Sequence, residues 1–199
     1  MTSMTTTVSN VGSRRTTADL AYVAVFAALI IALAFVAIPL GAAGVPIVLQ
    51  NAAVVLAGLV LGPRRAGLAV LLFLVIGLIG LPVLAGGRTT LAALAGPTVG
   101  YLAGYLASAV VVGAVAYRAP ARRRRAQLGW FSLAAALGLL VQYACGILGL
   151  MWRADLDLGA ATISQAPFLV PDTLKFAAMV AIALAIHVAF PDLLSRKRR

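Results

Sequence analysis

The chain of 199 residues is 63% hydrophobic and 11% charged, and it carries a formal net charge of +11. Soluble domains have about 25% charged residues, so this chain lacks the polar surface to coat a soluble globule, and its uninterrupted apolar runs indicate a polytopic helical membrane protein rather than a β-barrel. The basic residues lie in short connections and at the chain ends without interleaved aromatic side chains, a pattern that excludes nucleic acid as a partner and favours membrane lipid.

A helix needs about 20 residues to cross the hydrocarbon core of a bilayer, and six apolar segments reach or approach that length. They are residues 20–40, 46–62, 66–85, 92–117, 127–151 and 167–190. The segments predict an all-α membrane domain at 19–194 with six transmembrane helices. We expect a disordered, Thr- and Ser-rich cytoplasmic tail at 1–18 and a basic cytoplasmic tail at 195–199.

Basic residues are distributed unequally between the two ends of these segments. If the N-terminus is cytoplasmic, the outer connections hold two, Arg88 and Arg153. The cytoplasmic regions then hold thirteen: Arg14, Arg15, Arg64, Arg65, Arg118, Arg122, Arg123, Arg124, Arg125, Arg196, Lys197, Arg198 and Arg199. Because cytoplasmic loops of membrane proteins are rich in Lys and Arg, this asymmetry predicts that both termini are cytoplasmic in a multi-pass protein of the plasma membrane, of the bacterial inner-membrane type.

The first apolar segment carries a stripe of small residues four apart, Ala24, Ala28 and Ala32. Residues at this spacing share one face of a helix, and small side chains let a second helix approach closely. The stripe therefore packs either within this chain or against a partner subunit, and the sequence leaves both interpretations open. The uncharged connection that follows, residues 38–46, is a candidate lid.

Polar residues collect near the outer ends of the next segments. Gln50 and Asn51 follow the candidate lid and can bond either a ligand or the backbone. The third connection contains Gly86-Gly87-Arg88, and Gly96-Pro97 marks the start of the fourth helix, where free backbone N–H groups favour anionic or carbonyl ligand atoms. Arg88 either contacts a ligand or extends to the membrane interface.

One ionisable pair stands at the head of the last apolar segment. The chain has five acidic residues, and Asp172 is the one that lies where an apolar segment begins and is followed by more apolar sequence. Lys175 follows three residues later, so both side chains lie on the same helix face. Because ionisable groups are costly in a bilayer unless they are paired or meet a ligand, the pair predicts a binding site at the outer mouth.

The sequence contains no motif for phosphate binding, metal ligation or nucleophilic catalysis, so we expect no enzyme activity, no metal and no cofactor. One Asp and one Lys near one surface do not form a proton relay across the membrane, and no internal repeat of the kind found in secondary transporters is visible. The lone His187, near the inner end of the last segment, is either an interfacial residue or a proton relay. The chain is therefore predicted to be a binding subunit without an energy source of its own.

Several motifs, taken together and in order, resemble the BioY family. They are Val45–Gln50 followed by Leu56–Arg64, Gly80–Gly87, Leu94–Tyr105 and Pro167–Lys175. The similarity runs from about Leu20 to Leu194, and the chain departs from the family pattern at Val99, Gly149 and Pro171. BioY proteins are the biotin-specific substrate-capture (S) components of energy-coupling-factor (ECF) transporters.

This resemblance implies six helices, an outward-facing biotin site and docking through the stripe Ala24, Ala28 and Ala32 to a membrane-embedded coupling subunit. It also implies that ATP is used by cytoplasmic ATPase subunits of the complex and by no site on this chain. Two alternatives stay open at this point. One is a capture subunit of the same architecture for another small vitamin, and the other is a solitary secondary transporter of biotin.

The chemistry of biotin fits the residues singled out above. Biotin has a ureido group with two N–H donors and one carbonyl, an apolar thioether ring and a carboxylate tail. Asp172 can accept from a ureido N–H, Lys175 can neutralise Asp172 and donate to the ureido oxygen or the carboxylate, and Arg88 is the other candidate for the carboxylate. The predicted substrate-binding residues are Asp172, Lys175, Arg88, Gln50, Thr98, Tyr101, Tyr143 and Gly87.

Overall fold

The computed structural model describes residues 6–38, 47–121 and 123–195. Eight helices, two short strands and one 3-10 turn follow in this order: α1 Thr6–Ala34, β1 Ala37–Ile38, β2 Ile47–Val48, α2 Gln50–Leu78, the 3-10 turn Ala85–Gly87, α3 Thr90–Leu94, α4 Val99–Ala116, α5 Arg124–Arg153, α6 Leu158–Ile163, α7 Ala166–Ala189 and α8 Asp192–Ser195. Within the described ranges, five helical spans are long and apolar enough to cross a membrane: Thr16–Ala34, Gln50–Leu78, Val99–Ala116, Arg124–Arg153 and Leu158–Ala189. The predicted all-α class is confirmed.

The first helix is longer than its apolar segment. Helix α1 begins at Thr6, inside the segment 1–18 for which the sequence predicts a disordered tail. From Thr6 onward the chain is helical instead. Once an apolar run has nucleated the helix, each added residue forms a further backbone hydrogen bond, which offsets the modest helix propensity of Thr and Ser.

Two short strands close the connection between α1 and α2. Ala37 pairs with Val48 and Ile38 with Ile47 in an antiparallel register. The pair holds the last turn of α1 beside the first turn of α2. The candidate lid predicted at 38–46 lies almost wholly outside the described residues, since only Ile38 of it is described.

Helix α2 is broken near its middle. Gly62 has φ 77° and ψ 177°, a conformation that favours glycine, and Pro63 follows it. The break falls between the segments 46–62 and 66–85 that the sequence predicts as separate helices. Proline has no backbone N–H, so Pro63 removes the donor that would have bonded the carbonyl of Leu59.

Side chains from two other parts of the chain form hydrogen bonds with backbone carbonyls next to this break. The imidazole Nε2 of His187, on α7, lies 2.9 Å from the carbonyl oxygen of Leu59. The hydroxyl of Tyr117, just after α4, donates to the carbonyl oxygen of Val60 at 2.6 Å. His187 is only 3% exposed and packs against the ring of Phe131. Because a bilayer offers no water to an unpaired carbonyl, these contacts stabilise the interrupted helix.

Glycines allow the helices to approach where the break and the binding site require it. A Cβ added to Gly113 on α4 would clash with the backbone nitrogen of Pro63, so only glycine lets α4 pass the break. Helix α2 packs against α1, α4 and α7, and α4 packs against α5. The starts of α2, α4 and α7 therefore meet the end of α5 at one end of the molecule.

The His187 contact yields a prediction about stability. In His187→Ala the carbonyl of Leu59 loses its side-chain donor, and we expect the free energy of unfolding in mixed micelles to fall by about 1–3 kcal/mol. His187→Gln keeps an amide donor of similar reach and should recover a large part of that loss. Equal losses in the two variants would mean that His187 stabilises the fold through packing alone.

Candidate substrate-binding site

A cavity lies at the end of the molecule where α2, α4 and α7 begin and α5 ends; we call this the cavity end. Its lining in the described chain comes from β2, these four helices and the connection between α2 and α3. The lining residues are Val48, Gln50, Asn51, Leu84, Ala85, Arg88, Thr98, Tyr101, Leu102, Tyr105, Gln142, Tyr143, Phe168 and Asp172. Aromatic and aliphatic side chains form most of the wall, with a few polar groups directed into it, as is typical of small-molecule sites.

The ionisable pair predicted from the sequence forms on α7. The Nζ atom of Lys175 lies 2.5 Å from Oδ1 of Asp172, and Asp172 is 3% exposed. Lys175 also donates to the carbonyl oxygen of Val48 at 2.6 Å and to Oδ1 of Asn51 at 3.0 Å. An ammonium group has three protons, so all three are engaged by protein acceptors. Lys175 ties α7 to β2 and α2 and does not line the cavity.

The carboxylate of Asp172 is held from three sides. Its Oδ1 accepts from Lys175 and from Nδ2 of Asn51 at 3.0 Å, and its Oδ2 accepts from the hydroxyl of Tyr143 at 3.0 Å. Each carboxylate oxygen has two acceptor positions, so one position on Oδ2 is left. Asp172, Lys175, Asn51 and Tyr143 form a network, which we call the Asp172 network, that joins α2, α5 and α7 beside the cavity.

Arg88 is the second cation at this end, and it lines the cavity. It has neither an ion pair nor a side-chain hydrogen bond to any described residue. Its backbone is fixed by a turn in which the N–H of Leu84 bonds the Arg88 carbonyl at 3.0 Å, while Gly86 and Gly87 have φ values of 73° and 72°. The predicted site residue Gly87 is exposed and outside the lining, so in this structure it shapes the turn that presents Arg88.

The amide of Gln50 fastens the connection that carries Arg88. Its Nε2 donates to the carbonyl oxygen of Val83 at 2.9 Å, and Gln50 itself is almost fully buried. Gln50, one of the predicted binding residues, lines the cavity, and its amide nitrogen is already bonded to the backbone. Thr98 also lines the cavity, and its buried hydroxyl has no hydrogen-bond partner in the described part of the chain.

Close contact between α4 and α5 positions Tyr101, one of the two predicted tyrosines. A Cβ added to Gly146 would clash with the ring of Tyr101, so glycine at that position makes room for the ring. A Cβ added to Gly149 would lie 2.5 Å from the backbone nitrogen of Gly100. Tyr101 then donates to Oε1 of Gln165 at 2.7 Å, which anchors the ring at the cavity wall.

Several lining residues were absent from the sequence-predicted set: Val48, Asn51, Leu84, Ala85, Leu102, Tyr105, Gln142 and Phe168. Most are apolar side chains in an apolar chain, where nothing local distinguishes a cavity wall from a helix contact. Two carried a usable signal. Tyr105 lies one helical turn after Tyr101, and Asn51 lies next to Gln50 at the start of α2.

The predicted docking stripe on α1 faces away from the rest of the chain. Ala24, Ala28 and Ala32 are exposed, whereas Ala27 and Ile30 on the opposite face are buried against the core. In the described structure the stripe therefore does not pack within this chain. This exposed face is open to lipid or to the close approach of another membrane helix, and docking to a partner stays a prediction.

Comparison with known proteins gives consistent matches along most of the chain. The model of the BioY family matches residues 4–192. A biotin transporter BioY of Rhodobacter capsulatus is 44% identical over 183 residues, covering 86% of this chain and 94% of that protein. A biotin transporter BioY of Rhizobium etli is 40% identical over 184 residues, covering 90% of this chain and 98% of that protein.

A solved structure shares the architecture. It is the crystal structure at 2.1 Å of the S-component for biotin from an ECF-type ABC transporter. It superimposes with a TM-score of 0.78 at 30% sequence identity, covering 92% of this chain and 94% of that chain. The helical arrangement described above is thus that of a known membrane-protein fold.

The Asp172 network yields a second prediction about stability. Lys175→Met leaves the carboxylate of Asp172 buried without its cation, and we expect the free energy of unfolding to fall by about 3–5 kcal/mol. The neutral double variant Asp172→Asn/Lys175→Met should regain most of this loss, because the amide introduced at position 172 would still bond Asn51 or Tyr143. Unfolding in mixed micelles measures both variants.

The exposed cation Arg153 supplies the control for that experiment. Arg153→Met removes the same charge at the same end of the molecule, and we expect it to change the free energy of unfolding by about 0.5 kcal/mol or less. A double variant no more stable than Lys175→Met alone would contradict the assignment of the loss to the unpaired carboxylate.

Proposed function

The chain belongs to the BioY family, and on that premise we propose that it is the biotin-capture subunit of an ECF-type vitamin uptake transporter in a cell membrane. The observation that carries the proposal is the cavity with the Asp172 network on one side and the uncommitted guanidinium of Arg88 on another. Proteins of this family bind and deliver a substrate, and no chemical conversion of biotin is part of the proposal.

The bicyclic ring of biotin is proposed to lie against the Asp172 network. The remaining acceptor position on Oδ2 of Asp172 suits one ureido N–H, and the Thr98 hydroxyl is a further polar group for the ureido unit. The thioether ring then contacts aromatic walls formed by Tyr105 and Phe168. Lys175 acts indirectly in this arrangement, since its three donors hold Asp172, Asn51 and β2.

The carboxylate tail of biotin is proposed to bind Arg88. A guanidinium can bond a carboxylate through two parallel N–H donors, and Arg88 has no acceptor among the described side chains that would compete. The turn built on Gly86 and Gly87 holds Arg88 at the cavity wall, and Gln50 fixes that turn to α2. Of the two candidate cations, Arg88 therefore fits the carboxylate and Lys175 does not.

Delivery of biotin is proposed to require partner subunits. The exposed stripe Ala24, Ala28 and Ala32 offers a close-packing face for a membrane-embedded coupling subunit, and cytoplasmic ATPase subunits would use the ATP. The charge distribution supports an orientation with both termini cytoplasmic and the cavity end outside. No cofactor bound to this chain is needed in this scheme.

The choice of biotin over other vitamins is tested by ligand-dependent stability. Biotin at 100 times its dissociation constant should stabilise the purified protein by about 2.7 kcal/mol, because a ligand that binds only the folded state stabilises it by mass action. The measurement is a thermal shift against a panel of vitamins. Stabilisation by another vitamin and not by biotin would overturn the substrate assignment.

The roles of Asp172 and Arg88 are separated by using biotin and its methyl ester, which lacks the carboxylate charge. We expect Asp172→Asn to weaken binding of both ligands about tenfold or more, since charged hydrogen bonds contribute about 1.5–3 kcal/mol. Arg88→Gln should weaken biotin binding by a similar factor and leave the ester unchanged. Isothermal calorimetry measures each affinity.

The control for these variants is Arg153→Gln, which removes a cation at the same end that does not line the cavity. It should bind both ligands as the unmodified chain does. Unchanged biotin affinity in Asp172→Asn would refute the ureido contact, and equal losses for biotin and its ester in Arg88→Gln would refute the carboxylate contact.

A further inference from the structure

A second cleft lies at the opposite end of the molecule from the proposed biotin site. It runs between the first turns of α5 and the last turns of α7 and is an open cleft with a volume of about 400 Å³. Its lining residues are Arg124, Arg125, Gln127, Leu128, Leu184, Ala185 and Val188. We call it the α5–α7 cleft.

The rim of this cleft carries positive charge that the described chain does not neutralise. Arg124 and Arg125 are exposed, and the described side chains form no ion pair with either. At the same end, by contrast, Arg65 is paired with Asp19 at 2.7 Å. No acidic residue lies in the first turn of α5 and no side chain caps it, so its free N–H groups add to the positive potential. The rim is suited to an anion.

The position of the two arginines is fixed by a buried amide. Gln127 is 3% exposed, and its Nε2 donates to the carbonyl oxygens of Pro120 and Ala121 at 3.3 and 2.9 Å. These bonds attach the first turn of α5 to the connection that follows α4. The arginines are therefore presented from a fixed turn rather than from a free tail.

The wall below the rim is apolar and open to the membrane. Leu128 and Val188 are 50% and 49% exposed, and Leu184 is partly buried beside them. A soluble anion such as inorganic phosphate would use the rim and leave this wall uncovered. A molecule with a phosphate head and acyl chains would use both.

We propose that the α5–α7 cleft binds an anionic phospholipid, with its phosphate on Arg124 and Arg125 and its glycerol and first acyl carbons against Leu128, Leu184 and Val188. Basic pockets between transmembrane helices bind such headgroups by charge complementarity. A partner subunit is the less suitable occupant, because the proposed docking stripe is on α1, whose contacts are mainly with α2 rather than with the helices of the cleft.

The test measures binding of phosphatidylglycerol to the purified full chain by native mass spectrometry, with phosphatidylcholine as the uncharged comparison. We expect Arg124→Gln/Arg125→Gln to weaken phosphatidylglycerol binding about tenfold and to leave phosphatidylcholine binding unchanged. The matched control is Arg64→Gln/Arg118→Gln, which removes the same charge at the same end outside the cleft and should change binding less than about twofold. Equal losses in the two double variants would overturn the proposal in favour of diffuse electrostatic attraction.

Further measurements distinguish a lipid phosphate from a soluble phosphate and check that the variants are folded. Glycerol 3-phosphate at millimolar concentration should fail to displace the lipid, and Leu184→Gln should weaken lipid binding while both arginines remain. Displacement by glycerol 3-phosphate would mean a site for soluble anions and would overturn the lipid assignment. The thermal midpoint measured without added lipid should be the same in the two double-arginine variants and in the unmodified chain, and this control does not depend on the proposed biotin site.

Discussion

The buried contact between Lys175 and Asp172 is the interaction on which the cavity end depends. A charge within an apolar segment is tolerated only if its partners are all present, and here Lys175 distributes its three protons over Asp172, Asn51 and the Val48 carbonyl. Those acceptors come from three different elements. One ammonium group therefore sets the separation of α2 and α7 and the position of β2, and the carboxylate it compensates faces the cavity wall.

The same requirement for paired polar groups acts at the other end of helix α7. His187 bonds the carbonyl of Leu59, which Pro63 leaves without a helix donor. Helix α7 is thus bonded to α2 at two places, by Lys175 in its first half and by His187 near its end. Both contacts involve largely buried groups, so each is worth more than a contact on the exposed surface.

The sequence predicted those features in which a residue is chemically out of place. Asp172 and Lys175 are conspicuous in an apolar segment, and Gly62-Pro63 marks the break of α2, because charge and proline have strong local consequences. The use of Lys175 was not predictable, since its other acceptors on β2 and α2 lie more than 120 residues away along the chain. The contact between His187 and the carbonyl of Leu59 could not be predicted for the same reason, because the two residues are far apart along the chain. Apolar wall residues such as Leu102 carry no local signal, because hydrophobicity in this chain marks lipid contact and cavity wall alike.

In the proposed site, Lys175 and Arg88 have different roles, and this difference affects which ligands bind. Lys175 uses its three donors on protein acceptors and holds Asp172 in place, so in the proposed site the acceptor for a ligand N–H is preorganised and little reordering is needed on binding. Arg88 lacks a described partner, so a ligand with a carboxylate gains a charged contact that an uncharged analogue cannot make. The proposed site would discriminate at both ends of a ligand at once. In that proposal, a molecule without a donor would leave a buried acceptor position of Asp172 unpaired. A molecule without an anion would partly desolvate Arg88 without forming a charged contact.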